Sequence, residues 1–228
     1  MVGILDLDNT LLHTADSMDD LKKLGIMTNP KLIELRRRCY FIKLTDMDVV
    51  GDGSRYDFGG VKRPHLDEFL LFFFNYFRLG IVWSAGKRTY VHAIVENVFK
   101  GLKMPDLVWS YDETEKDAND EVLKPLTKLM NSNFKYKHLL SKENMIIIDD
   151  NETTFAKNKK NAIHIPAYDV DFTVESMMKE DTALLQIKYW LLLPHVINNT
   201  DVTKLDMTTI FDYSHEDYQH IANMYDDN

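Results

Sequence analysis

The run Asp6-Leu7-Asp8-Asn9-Thr10 sets two carboxylates two residues apart, directly after a short apolar segment. If that segment is a buried strand, the chain curls as it leaves the sheet and both carboxylates can face one pocket. A second acidic pair, Asp149-Asp150, follows another apolar run, and Ser84 follows a third. Asp6, Asp8, Asp149 and Asp150 gathered together would repel one another strongly without a cation, and ligation by oxygen alone favours Mg2+. One carboxylate of such a set can attack phosphorus while its neighbour trades a proton with the leaving oxygen. Ser84 and the amides after it, Ala85 first, suit phosphoryl oxygens, and one lysine can balance the charge left over.

Each signal is weak alone. An Asp-x-Asp at a strand end is common in turns and caps, and Asp149-Asp150-Asn151 reads equally as a helix cap. A lone Ser after a strand is usually structural, and Lys124 by itself reads as a solvated surface charge. Their joint order, each at a strand or helix terminus, is what points to phosphoryl transfer.

The elements that must position these groups follow from apolar spacing. Residues 3–7, 79–83, 107–109, 145–148 and 162–165 read as buried parallel strands. Between them, Leu66, Phe69, Leu70, Phe73 and Phe77 form the buried stripe of a helix begun after Pro64 and ended by Gly80. Val91, Ile94, Val95 and Val98 form another, and residues 182–193 a third. Strands alternating with helices predict an α/β fold, a doubly wound parallel sheet with helices on both faces, which binds ligands outside the carboxyl ends of its strands.

An insertion of about residues 13–62 separates the first acidic motif from Arg63-Pro64. Within it, Asp16, Asp19 and Asp20 precede an apolar helix face, Asn29-Pro30 opens a second short helix, and Gly51-Asp52-Gly53 marks the turn of a β-hairpin. The six acidic residues of 111–121 read as a mobile loop, and residues 201–228 as an acidic tail, loose beyond about Tyr213. Residues 1–200 are expected to form one domain.

A chain of 228 residues with 45% hydrophobic and 28% charged residues is an ordinary globular composition. The net charge of −9 disfavours nucleic acid as a partner and makes a cation or a local positive pocket a requirement for an anionic substrate. Cys39 is the single cysteine and no apolar run is long enough for a bilayer, so the reading is an intracellular protein, nuclear or cytoplasmic, with no membrane partner. Cys39 itself is expected to be a small core residue. Nothing in the sequence bears on oligomeric state.

These residues resemble the haloacid-dehalogenase (HAD) superfamily, whose four motifs look like Asp6-Leu7-Asp8-Asn9-Thr10, Ser84, Lys124 and Asp149-Asp150 here. Within it, residues 5–13, 62–70, 83–86 with Tyr90, 147–151 and the helix starting at Asp181-Thr182 are similar to the phosphatases of the RNA polymerase II carboxy-terminal repeat and their NLI-interacting-factor-like relatives. The resemblance covers about residues 1–200. It implies that Asp6 is the phosphorylated nucleophile and a metal ligand, and that Asp8 is the general acid/base, offering its carbonyl to the metal. Asp150 would be a direct ligand, with Asp149 beside it in the inner or outer shell. Thr10 and Ser84 would hold phosphoryl oxygens and Lys124 would balance their charge. The hairpin between Arg38 and Val61 would help form a substrate groove with Tyr90 and Lys87.

The resemblance implies a Mg2+-dependent protein Ser/Thr phosphatase acting on a phosphoprotein or phosphopeptide, with the polymerase repeat as one candidate. Lys87 stands where repeat-reading relatives carry an apolar side chain, and the acidic run 112–121 replaces a basic residue ahead of Lys124; these departures leave hydrolysis untouched and weaken the carry-over of which peptide is read. The sequence starts close to Asp6, which reads as a chain without the long extension of many relatives. The competing readings are a phosphatase of a small phosphometabolite or nucleic-acid end, and a non-catalytic scaffold.

Overall fold

β1 (Val2–Leu5) is buried at every position and lies in the middle of a five-stranded parallel sheet, so both of its faces must be apolar. The structure, a computed structural model, describes residues 1–15, 18–46, 51 and 53–226. Asp16, residues 47–50 and Asp52, the middle of the expected turn at 51–53, lie outside the described residues.

After β1 the chain makes a tight loop and enters β2 (Leu12–Ala15), then α1 (Met18–Lys23) and α2 (Ile33–Arg38). β3 (Cys39–Thr45) and β4 (Arg55–Lys62) form the expected hairpin, and β2 pairs with the far edge of β4. The insertion is therefore a three-stranded antiparallel sheet in the order β2-β4-β3. Asn29 caps the single turn at Pro30–Leu32, with its side chain accepting from the Lys31 amide, as Asn-Pro spacing leads one to expect.

α3 (Leu66–Tyr76) buries Leu66, Phe69, Leu70 and Phe73, the apolar stripe read from the sequence. It stops at Tyr76, before the expected Gly80, which instead sits within β5 (Leu79–Trp83) opposite Gly3. α4 (Arg88–Val98) likewise buries Val91, Ile94, Val95 and Val98. β6 (Leu107–Trp109), β9 (Met145–Asp149) and β10 (Ala162–His164) complete the sheet, in the order β10-β9-β1-β5-β6.

Residues 111–121 are ordered, in contrast to the mobile loop expected from their charge. Ser110 and Glu113 form a reciprocal cap on the turn Tyr111–Glu113, after which β7 (Glu115–Lys116) and β8 (Val122–Leu123) pair as a short ribbon. The acidic side chains find local partners: Arg88 reaches Asp112 and Glu113, and Lys116 reaches Asp120. Beyond β8 come α5 (Leu126–Met130), α6 (Val174–Met178), α7 (Ala183–Leu191) and α8 (Pro194–Ile197).

The last stretch is also built in. α9 (His215–Asp226) packs on α7, burying Tyr218, whose hydroxyl donates to the Ile210 carbonyl at 2.9 Å. Scattered apolar residues in an acidic segment, Val202, Met207 and Ile210 among them, join the main core.

Alternation along the strands divides the core in two. Leu5, Val82 and Ile148 face the cluster under α3, α4 and α7, while Ile4, Ile81 and Ile147 face α5 and the turns around Phe134 and Phe155. Helices thus cover both faces. Because Leu5 pairs with both Val82 and Ile148, the next residue on each strand comes level at one sheet edge: Asp6, Trp83 and Asp149.

Candidate active site

At that edge a cavity of about 310 Å³ is lined by Asp6, Asp8, Ser84, Ala85, Lys124, Asp149 and Asp150, together with Asn9, Gly86, Asn151 and Thr154. It forms because the loop after β1 doubles back. Leu7 carbonyl accepts from Leu11 N at 2.8 Å, and Asn9 takes the left-handed conformation at φ 58°, which a short amide side chain tolerates. Asp6 and Asp8 are brought onto the same cavity by this curl.

Lys124 is the centre of charge. Its ammonium donates to Asp6 Oδ1 at 2.5 Å and to Asp149 Oδ2 at 2.7 Å, and all three side chains are buried. Its backbone is pinned on both sides, Lys124 N donating to the Thr154 carbonyl and Asn158 Nδ2 donating to the Lys124 carbonyl. Thr154 Oγ1 also donates to Asp149 Oδ2 at 2.8 Å, and Asn151 N to Asp149 Oδ1 at 2.9 Å. Thr154 and Asn158 were not singled out from sequence, since a hydroxyl or amide in a polar run carries no signal of its own.

Asp6, Asp149 and Asp150 each bring an oxygen within 4.8 Å of the others. Like charges that close repel by about 3 kcal/mol per pair at an effective dielectric of about 20, and one ammonium cannot offset three carboxylates. The donor set is all oxygen, close enough to share one ion, and so it fits a hard divalent cation such as Mg2+. Burial pushes the Asp6 carboxyl well above its usual range, against the pull of Lys124, and burial likewise raises Asp150.

Asp8 stands apart from this trio. Its Oδ1 accepts from the Tyr90 hydroxyl at 2.5 Å and from Thr14 Oγ1 at 3.2 Å, so the expected convergence of four carboxylates is a convergence of three, and any Asp8 contact to a metal would fall to its carbonyl. Burial raises the Asp8 carboxyl above the ordinary carboxylate range. Burial thus favours the proton on Asp8, and acid-assisted displacement needs a carboxyl that can carry one to the leaving oxygen.

Two expected roles change. Thr10 does not reach the cavity: it is fully buried, its hydroxyl donating to Asp150 Oδ1 at 2.9 Å and accepting from the Asp150 amide at 3.0 Å. The one proton of the hydroxyl is committed to Asp150, which leaves none to donate to a phosphoryl oxygen. Tyr90 was expected to line a substrate groove, but its hydroxyl is turned to Asp8 and to Thr14 of the insertion, and its ring meets the insertion edge-on at Phe58, 5.7 Å away.

Ser84 is buried at the tip of β5 and its Oγ accepts from Gly86 N at 3.0 Å, which leaves the hydroxyl proton to donate. Ala85 is exposed, and among the described residues its amide has no acceptor. A Cβ on Gly86 would lie 2.9 Å from the Tyr90 ring, so only glycine lets the loop press so close to α4. Lys87 is exposed at the N-cap of α4. Cys39 is half-buried and burial pushes its thiol up to about 11, so it stays protonated at neutral pH and is no second nucleophile.

Residues 2–203 match the sequence model of a family described as NLI interacting factor-like phosphatase. A CTD phosphatase-like protein, 355R, of invertebrate iridescent virus 3 is 26% identical over 194 residues, covering 81% of this chain and 91% of that protein. Two solved structures of the RNA polymerase II CTD phosphatase Fcp1 share the fold. One, from fission yeast and bound to beryllium fluoride, is 15% identical with a TM-score of 0.57; the other is 18% identical with a TM-score of 0.57. They match 99% and 98% of this chain, and the chain spans 63% and 62% of theirs.

Proposed function

This chain belongs to the NLI interacting factor-like phosphatase family, and from that premise we propose that it is a Mg2+-dependent protein serine/threonine phosphatase working through a phosphorylated Asp6. The observation that carries the reading is the grouping of Asp6, Lys124 and the Asp149-Asp150 pair in the cavity that Asp8 also lines.

In the proposed reaction a carboxylate oxygen of Asp6 attacks the phosphorus of a phosphoseryl or phosphothreonyl group. The bond from phosphorus to the side-chain oxygen breaks, and that oxygen takes the proton carried by Asp8. Asp8, now ionised, accepts a proton from water as the water oxygen attacks the aspartyl-phosphate. Inorganic phosphate leaves and Asp6 is regenerated. Ser84 and the Ala85 amide donate to the transferring phosphoryl oxygens. Lys124 holds Asp6 in place and offsets part of the charge that gathers there, while Thr10 fixes Asp150. Mg2+, held by Asp6, Asp149 and Asp150, would supply the positive charge that draws an anionic phosphoester into an acidic protein.

A segment of protein chain is the proposed substrate: Thr14 brings the insertion sheet up to Asp8, and on that sheet Phe58 stacks on Tyr56. The exposed Lys87 at the start of α4 suits an acidic or multiply phosphorylated neighbour of the phosphosite. The polymerase repeat is one such substrate.

A panel of phosphopeptides, including the polymerase repeat phosphorylated at each serine in turn, assayed beside nucleotides and end-phosphorylated DNA, tests the substrate class. Asp6→Asn tests the mechanism. Turnover of p-nitrophenyl phosphate by that folded variant at near the wild-type rate would refute the nucleophile.

A further inference from the structure

Oδ1 of Asp8 is held by a relay of hydroxyls drawn from three elements. Tyr90, on α4, donates to it at 2.5 Å, and Thr14, on β2, lies 3.2 Å away. Thr14 Oγ1 is itself 2.6 Å from the Tyr90 hydroxyl and 2.6 Å from the hydroxyl of Tyr40, on β3. Three hydroxyls carry three protons, and one assignment satisfies every contact: Tyr40 donates to Thr14, Thr14 turns its proton toward Asp8 and Tyr90, and Tyr90 donates to Asp8. Oδ2 of Asp8 has no hydrogen-bond partner among the described residues.

The insertion sheet is shaped for this relay. Thr14 and Tyr40 pair with Gly60 from opposite sides, being the cross-strand partners of that residue on β2 and β3. A Cβ on Gly60 would sit 2.2 Å from the Tyr40 hydroxyl. The absent side chain is thus what lets Tyr40 reach across β4 to Thr14. On the other side, the close approach of Gly86 seats the Tyr90 ring immediately behind the Ser84 loop.

We infer that Tyr90 is a positioning residue for the proton transfer, holding Oδ1 of Asp8 so that the proton rides on Oδ2, and that Thr14 and Tyr40 extend this hold into the insertion sheet. The inference rests on the reading of Asp8 as the acid. With one carboxyl oxygen fixed by two donors, the other has a defined direction, and a proton aimed at the leaving oxygen is worth far more than one on a freely turning group.

The consequence is a dependence on leaving group. An alkoxide departs only if it is protonated, whereas p-nitrophenolate departs without help. Ethyl phosphate and p-nitrophenyl phosphate differ in this respect and are both too small to use an extended peptide groove. Their kcat/KM values report only the steps up to release of the alcohol or phenol.

The test is kcat/KM for both esters with wild type, Asp8→Asn, Tyr90→Phe and Tyr40→Phe, each checked for wild-type circular dichroism and melting. In Tyr90→Phe the ring still packs on Phe58, and the ratio of aryl to alkyl rates should rise about tenfold over wild type; Tyr40→Phe should move it the same way by less. A ratio within twofold of wild type in Tyr90→Phe, or an equal loss on both esters, overturns the inference. A rise in KM for phosphopeptide alone does so as well, because it would make Tyr90 a groove residue. If Asp8→Asn leaves the ratio unchanged, or wild type cleaves neither ester, it is the reading of Asp8 or of the activity that fails instead.

Discussion

Arg63 and Asp181, 118 positions apart in the chain, meet as a two-pronged ion pair, Nε to Oδ1 at 2.9 Å and Nη2 to Oδ2 at 2.8 Å. The remaining prong, Nη1, donates to the Thr10 carbonyl at 3.0 Å, and Arg63 N donates to the Leu11 carbonyl at 2.9 Å. One buried guanidinium thereby ties the start of the α7 segment to the loop that carries Asp6 and Asp8.

Replacing Arg63 with Met should cost about 3 kcal/mol of folding stability, since it strands a carboxylate and a buried carbonyl together. Urea unfolding measures this. Arg63→Lys should recover only part of the loss, because an ammonium cannot match the planar fork. A cost below about 1 kcal/mol for the Met variant would mean that the loop is held by other contacts.

Lys124→Met should abolish turnover and, in chelator, lower stability by roughly 3–5 kcal/mol, because Asp6 and Asp149 lose their shared counter-ion in a buried site. The comparison to make is chemical unfolding of variant and wild type in EDTA. Equal stability there would show that the bridge contributes nothing net.

Removal of divalent metal should stop hydrolysis of p-nitrophenyl phosphate, and added Mg2+ should restore it. Binding at three clustered carboxylates also stabilises the folded state, by about 2.7 kcal/mol at a hundredfold excess over Kd. Asp150→Asn should blunt both effects, as thermal melts across a Mg2+ titration would reveal. A melting temperature that ignores Mg2+ in the wild type would remove the metal from the scheme.

Burial raises the Asp8 carboxyl in the folded chain, so the unfolded chain releases that proton first, near pH 4. Asp8 therefore favours folding below about pH 4 and loses that contribution as pH climbs through its higher folded value. Asp8→Asn has no proton to lose and can still accept from Tyr90 and Thr14. Without added metal, its stability relative to wild type should grow from pH 4 upward and then level off. A difference that stays flat across that window would contradict a raised Asp8.

The sequence by itself determined the scaffold and which polar groups it gathers at one edge. Apolar runs of strand length mark β1, β5 and β9, and a parallel sheet must present the carboxyl ends of all three runs at one edge, which brings Asp6, Ser84 and Asp149 together without knowledge of any contact. The buried stripes of α3 and α4 were equally legible, because a helix face repeats locally. What tertiary structure alone decided are pairings between distant segments. Thr10 spends its hydroxyl on Asp150, 140 residues away, and Tyr90 turns to Asp8 from 82 residues away. The acidic stretch 111–121 becomes ordered through Arg88, and the C-terminal segment through burial of Tyr218 against the core. A hydroxyl, a guanidinium or a carboxylate can be satisfied by many partners, so its type announces a need but not where that need is met; packing density around the sheet makes that choice.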